Sequence, residues 1–328
     1  MKMKQRNEAI DILKGIGIIL VLTAHSLEGF LSQFAYTFHM PLFFIVTGLF
    51  ISEANEHDFG KWWKATTKKD FKRLLLPALF SIAIILAVSS LSYFVTNSFL
   101  QNPVSLIWNE QPNKPFEYIK MLGNLWFLFA LFFAKQSFYL TRYFFGVRFL
   151  PIFCLLLGAL IVIISKYLIL PLGLSIGISV LPFIWCGYYL KHHGGADTGV
   201  PKWFYVSILT WAVYILFGKM RVGTMTYSWG YLPDIIAACG GTLAFYQISK
   251  GIERKTTYIR KILSFLGVYS LILICAPSIE TYCFPIHKIL PVMPLRSIFV
   301  IVGKVGWCAL ALYVCIKIPL LRKIFGVK

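Results

Sequence analysis

Near its start the chain sets four ionisable side chains into an apolar stretch, "DILKGIGIILVLTAHSLEG": Asp11, Lys14, His25 and Glu28. A fifth, His39, follows in "FHMPLFFIVTG". An imidazole takes up or gives back a proton near neutral pH. A carboxylate one helical turn away can orient that ring or raise its basicity. Together they are equipped for general acid–base catalysis. On a helix turning about 100° per residue, with Asp11 at zero, Lys14 falls at about −60°, His25 at about −40° and Glu28 at about −100°. The four share one arc, and Lys14 and His25 stand about 16 Å apart along the axis.

Such groups should face a bundle interior or a watery cavity rather than lipid, and inside a membrane they point to function. Each also has a plainer reading. Asp11 and Lys14 can neutralise one another, or Lys14 can snorkel to the headgroups. His25 and Glu28 can form a purely structural hydrogen bond. His39 precedes Pro41, which suits the first turn of a helix. A helix N-terminus disfavours imidazolium, so His39 serves as a neutral donor or acceptor, or as a cap without chemistry. In "KKDFKRLLLP", Lys68, Lys69, Lys72 and Arg73 either mark topology and anionic lipid or form a phosphate site. Trp126 either packs the bundle or lines an acyl pocket. Asp234 and Glu280 fall in or beside apolar runs and can line a cavity, although Asp234 can also cap a helix after Pro233. His192 and His193 read as a solvated, Gly-rich turn.

The elements that must position these groups are transmembrane helices. Of 328 residues, 58% are hydrophobic and 14% charged, against about 25% charged in a soluble domain. Runs of membrane length lie near 12–31, 35–51, 74–96, 122–141, 149–165, 170–190, 203–218, 230–248, 262–284 and 296–316. The fold expected is all-α and polytopic, with about ten spans in a single domain over 1–328. Lys and Arg favour one side: with the N-terminus inside, 22 of the 32 are cytoplasmic and seven external. That is the positive-inside pattern, with both termini cytoplasmic. The net charge of +19 is thus mostly topology, and nucleic acid is not an expected partner. Lys14 then lies near the cytoplasmic boundary and His25 in the outer half of the membrane. The first span runs on without a cleavage site and reads as a retained anchor. The longest loops fall at about 52–73, inside, and about 97–121, outside. The seven Cys lie in or beside the spans without metal spacing, as apolar packing.

These residues resemble the membrane acyltransferase-3 family, nearest its sugar O-acetylase branch, the fucose 4-O-acetylase-like one. "DILKGIGIILVLTAH" is similar to the family's opening span, where a basic residue precedes a His by eleven positions. Lys14 stands where many relatives have Arg. "FHMPLFFIVTG" resembles the second-span signature, "KRLLLP" the basic approach to the third, and "LWFL" at 125–128 a later one. "GVYSLILICAPSIE" resembles a late segment in which many relatives carry a His seven residues after the Ser; Pro277 stands there instead. Either Glu280, one turn on, takes over a polar role, or the acceptor is handled differently.

The resemblance implies transfer of an acyl group, usually acetyl, from cytoplasmic acyl-CoA to a hydroxyl of an exported glycan or glycolipid. By that matching His25 is the essential His, Lys14 its basic partner, and His39 and Arg73 further site positions. The expected roles are His25 as base with Glu28 orienting it, or an acetyl-His25 intermediate. Lys69, Lys72 and Arg73 meet the donor phosphates, with Asp11, Trp126 and Glu280 as further binding positions. The expected location is the bacterial cytoplasmic membrane. Acetyl-CoA is a substrate rather than a resident cofactor, and no metal is expected. Two other classes remain: a transporter or flippase of a lipid-linked saccharide, and a sensor or inactive relative. Transporters often show paired broken helices, and no convincing pair stands out.

Overall fold

In hydrocarbon, backbone groups must pair within their own segment, so apolar runs become helices. The computed structural model describes residues 7–26, 29–53, 58–96, 123–168, 170–193, 202–255, 257–284 and 296–327. At 25, 26, 92–96, 202–204 and 296–298 it describes the backbone alone. The helices are α1 (Glu8–Ser26), α2 (Phe30–Tyr36), α3 (His39–Leu49), α4 (Phe59–Asp70), α5 (Leu76–Thr96), α6 (Trp126–Ile164) and α7 (Leu174–Ser179). They continue with α8 (Leu181–His193), α9 (Lys202–Phe217), α10 (Tyr231–Lys255), α11 (Thr257–Val268), α12 (Ser270–Cys283), α13 (Arg296–Lys317) and α14 (Pro319–Phe325). Strands β1 (Met220–Arg221) and β2 (Thr226–Tyr227) form one antiparallel hairpin between α9 and α10.

The helices fall into two compact units, Met1–Ile51 with Pro182–Ser270, and Ser52–Leu181 with Leu271–Lys328. In the first, α1 packs on α11 at a two-by-two contact. A Cβ at Gly15 would run into the Leu263 carbonyl, and one at Gly267 into the Asp11 carbonyl. Small residues let helix backbones touch where lipid gives no hydrophobic drive between them. An aromatic core joins the hairpin end of this unit. Phe38 stacks on Phe245 at 4.7 Å, and Trp211 Nε1 donates to Thr37 Oγ1 at 3.0 Å.

In the second unit α4 runs through a π-turn, Phe71–Leu75, into α5. The segment expected as a loop at 52–73 is therefore largely helical, and this corrects the sequence reading. Asp58 caps α4 by accepting from the Lys61 N–H at 3.4 Å, and the Trp63 side of α4 packs on α6. Two runs expected as separate spans, 122–141 and 149–165, fall in α6, which Gly146 interrupts with φ 67° and ψ 170°.

Other limits shift as well. The first helix is Glu8–Ser26 rather than 12–31, and the second run is divided at Thr37–Phe38 into α2 and α3. A helical segment lies over every expected run. Among the described residues four helical stretches are long and apolar enough to cross a membrane: Phe30–Leu49, Phe59–Leu91, Gly123–Ile164 and Phe299–Lys317. They become up to six if Pro171–Ser179 with Leu181–His193, and Thr257–Val268 with Ser270–Cys283, each count as one span.

Candidate functional site

The site residues expected from the sequence divide between the two units. Asp11, Lys14, His25 and His39 belong to the first; Lys69, Lys72, Arg73, Trp126 and Glu280 belong to the second. Glu28 lies outside the described residues, and of His25 only the backbone, one residue from the end of α1, is described.

On α1 the expected pairing of Asp11 with Lys14 is present, with Nζ 2.7 Å from Oδ1. Asp11 is buried and Lys14 half-buried, so the ammonium is held by a carboxylate against the α11 contact. A second pair, Arg260 Nε with Glu8 Oε1 at 3.4 Å, ties the same two helices.

The short α2 then bridges the two histidine positions. Ser32 Oγ donates to the Ala24 carbonyl at 3.1 Å, next to His25, and His39 Nδ1 donates to the Ala35 carbonyl at 2.6 Å. A carbonyl only accepts, so the Nδ1 of His39 carries a proton. His39 is 1% exposed. It caps the last turn of α2 rather than the start of its own helix, whose N-cap, Phe38, makes no side-chain bond. Tyr36 packs edge-on against His39 at 5.1 Å, and the Arg221 guanidinium of the hairpin lies 5.8 Å from the Tyr36 ring.

In the second unit Lys69, Lys72 and Arg73 are all exposed around the π-turn. Beneath them lies a network that the sequence reading missed. Asp70, 3% exposed, pairs with Lys135 and accepts from Gln136 Nε2 at 3.2 Å. Gln136 Oε1 accepts from Trp63 Nε1 at 2.9 Å and Thr67 Oγ1 at 2.7 Å. Lys135 was visible as a cation inside a span. Asp70 was hidden among lysines.

Trp126 opens α6, half-buried, with its ring edge to Phe127 at 6.2 Å. The turn before it is fastened to the helix that carries Glu280. Asn124 N–H donates to Ser278 Oγ at 2.9 Å, and Gly123 N–H to the Tyr282 hydroxyl at 3.3 Å. The structure therefore brings the "LWFL" segment and the late segment together. Pro277 is buried in α12, where the neighbouring Ala276 carbonyl accepts from Trp307 Nε1 at 2.8 Å. Glu280 is fully buried, and Thr281 Oγ1 donates to its Oε2 at 3.4 Å.

Asp234 takes a structural part. Its carboxylate accepts from the Ser228 and Trp229 N–H groups at 2.8 and 3.1 Å, holding the loop before α10 rather than that helix's own N–H groups. His192 and His193 are not in a loop but end α8, packed on Tyr188 and Tyr189. The Cys are buried except Cys283, and none is paired. No group of metal-ligating side chains occurs among the described residues.

The acyltransferase domain family (acyltransferase-3) matches residues 7–312. The nodulation protein NolL of Mesorhizobium japonicum is 27% identical over 245 residues, covering 69% of this chain and 59% of that protein. The chain thus spans less than two thirds of that relative's length. No solved structure matches. With the match running from the start of α1 nearly to the end of α13 across a multi-pass set of apolar helices, the chain belongs to the membrane acyltransferase-3 family.

Proposed function

We propose that the protein moves an acetyl group from cytoplasmic acetyl-CoA to a hydroxyl of a cell-surface glycan or lipid-linked saccharide in the bacterial cytoplasmic membrane. The observation that carries this reading is the acyltransferase match over residues 7–312. The proposed topology is ten spans with both termini inside. It is supported by polar contacts that join positions assigned to one side. Lys191 Nζ donates to the Ile51 carbonyl and Arg142 pairs with Glu53, all cytoplasmic in this reading. Gln33 Nε2 donates to the Gly218 carbonyl and Asn124 N–H to Ser278, all in an external turn or toward the external ends of their spans in it.

In this mechanism the donor's phosphates meet Lys69, Lys72 and Arg73, where Arg offers a forked pair of donors and Lys a point charge. The acceptor oxygen attacks the thioester carbon as His25 takes its proton, with Glu28 orienting the ring. The carbon–sulfur bond breaks, and free CoA leaves once its thiolate regains a proton. Lys14, held by Asp11, lies on the same helix toward the donor side. His39, whose Nδ1 donates to the Ala35 carbonyl, serves in this reading as a second proton acceptor or positioning group.

The test measures release of CoA thiol by membranes containing the protein, with mass spectrometry and NMR of the surface glycan. Acyl transfer predicts thiol release together with a glycan heavier by one acyl unit. A transporter would move saccharide without releasing thiol, and that result would overturn the reading.

A further inference from the structure

The buried network under the π-turn bears on how the donor is held, and its role there rests on the reading that Lys69, Lys72 and Arg73 meet the donor phosphates. Asp70 sits at the last position of α4, where the π-turn begins. Through Lys135 and Gln136 it binds α6, and through Gln136 the clamp reaches back to Trp63 and Thr67, two turns and one turn earlier on α4. An α-helix returns to the same face about every 3.6 residues. Here the buried positions are Asp70 and Leu75, with Phe71, Lys72 and Arg73 all exposed between them. The wider spacing is that of the π-turn, in which the Leu76 N–H bonds to the Phe71 carbonyl. In continuous α geometry Arg73 would lie about 60° from Asp70 and turn toward the buried face. Single π-turns recur at functional positions for this kind of re-aiming. Lys69 and Arg73 also lie within electrostatic reach of Lys135, the cation that Asp70 holds.

We propose that Asp70 is a positioning residue for the acyl donor: by holding Lys135 and Gln136 it pins the π-turn and so aims Lys72 and Arg73 at the donor's phosphates. Coulomb's law alone makes the opposite prediction. Removing a negative charge beside a phosphate site should tighten anion binding. If Asp70 positions the turn, its neutralisation should weaken binding, because Lys135 loses its partner and the turn its anchor.

The experiment is calorimetric titration of the purified full-length protein in detergent with CoA. Asp70→Asn should raise the Kd for CoA about tenfold, the scale of a lost charge-assisted hydrogen bond, and raise the donor KM while leaving kcat at saturating donor nearly unchanged. Asp70→Glu, which keeps the charge, should recover most of the affinity. Equal or tighter CoA binding by Asp70→Asn would overturn the proposal. If that variant does not fold, Trp63→Phe combined with Thr67→Val removes both bonds to Gln136 without altering charge. Weaker CoA binding by this pair supports the proposal, and unchanged binding overturns it. A wild-type protein that bound no CoA would instead refute the donor assignment, so the two failures are distinguishable.

Discussion

Gly267→Ala should destabilise the protein more than its single added methyl suggests. The new Cβ would meet the carbonyl of Asp11, and the reciprocal Gly15→Ala would meet that of Leu263. These are backbone atoms within helices, so neither can swing aside as a side-chain end does. The helices must separate, and overpacking of this kind costs about 1–3 kcal/mol. The two substitutions act on one contact, so the double variant should cost less than the sum, since one separation accommodates both. The assay is thermal unfolding in detergent followed by tryptophan fluorescence, where each kcal/mol corresponds to about 2–4 °C. Gly251→Ala and Gly306→Ala are the controls. Both glycines lie within helices, and an added Cβ there meets nothing within 4 Å. Alanine should hold Tm or raise it slightly, by about 0.5–1 kcal/mol of helix preference. A Gly267→Ala protein that melts with the controls would refute the packing argument. The Asp11–Lys14 pair adjoins the same contact, so donor-dependent thiol release should fall along with stability.

Three further outcomes concern the site and its topology. Replacing Lys69, Lys72 and Arg73 together with Gln should weaken apparent acetyl-CoA affinity while membrane insertion, read by fractionation, stays intact; unchanged affinity would leave those charges to topology alone. Reporter fusions after Lys68 and after Lys255 should be cytoplasmic and one near Asn113 external, whereas an external signal from Lys68 would overturn the ten-span topology. His39→Gln should keep part of the bond to Ala35 and part of the activity if the ring caps α2, but should lose about 10²–10⁴-fold in transfer rate if Nε2 is an obligatory base.

The polar face of α1 was legible because ionisable residues in an apolar run are conspicuous, and helical spacing alone joins Asp11 to Lys14. The helices themselves were legible because apolar runs of that length leave the backbone no other solution. Their interruptions were legible only in part. Gly146, at φ 67°, falls in the gap between the runs at 122–141 and 149–165, but Gly29, at φ 77°, breaks the path inside a run that reads as continuous to 31, and a lone glycine in an apolar run gives no warning of its φ. The stretch ending at Asp70 looked like a loop because its charges lower the hydropathy, although one face of it carries Trp63, Thr67 and Asp70. Their partner, Lys135, stands 65 residues away from Asp70, and no local pattern pairs the two. The cap formed by His39 shows the same limit: its position at a helix start was readable, but its bond to the preceding helix depends on the sharp turn at Thr37 and Phe38.

The central claim, that His25 performs the proton transfer, is tested most directly by mass spectrometry of the surface glycan from cells making the wild-type protein or His25→Ala at matched membrane levels. The account predicts that the variant melts like the wild type while acyl transfer falls by about 10²–10⁴-fold, so that the acylated glycan species disappears. A well-folded His25→Ala protein that still acylates its glycan at close to the wild-type rate would contradict it.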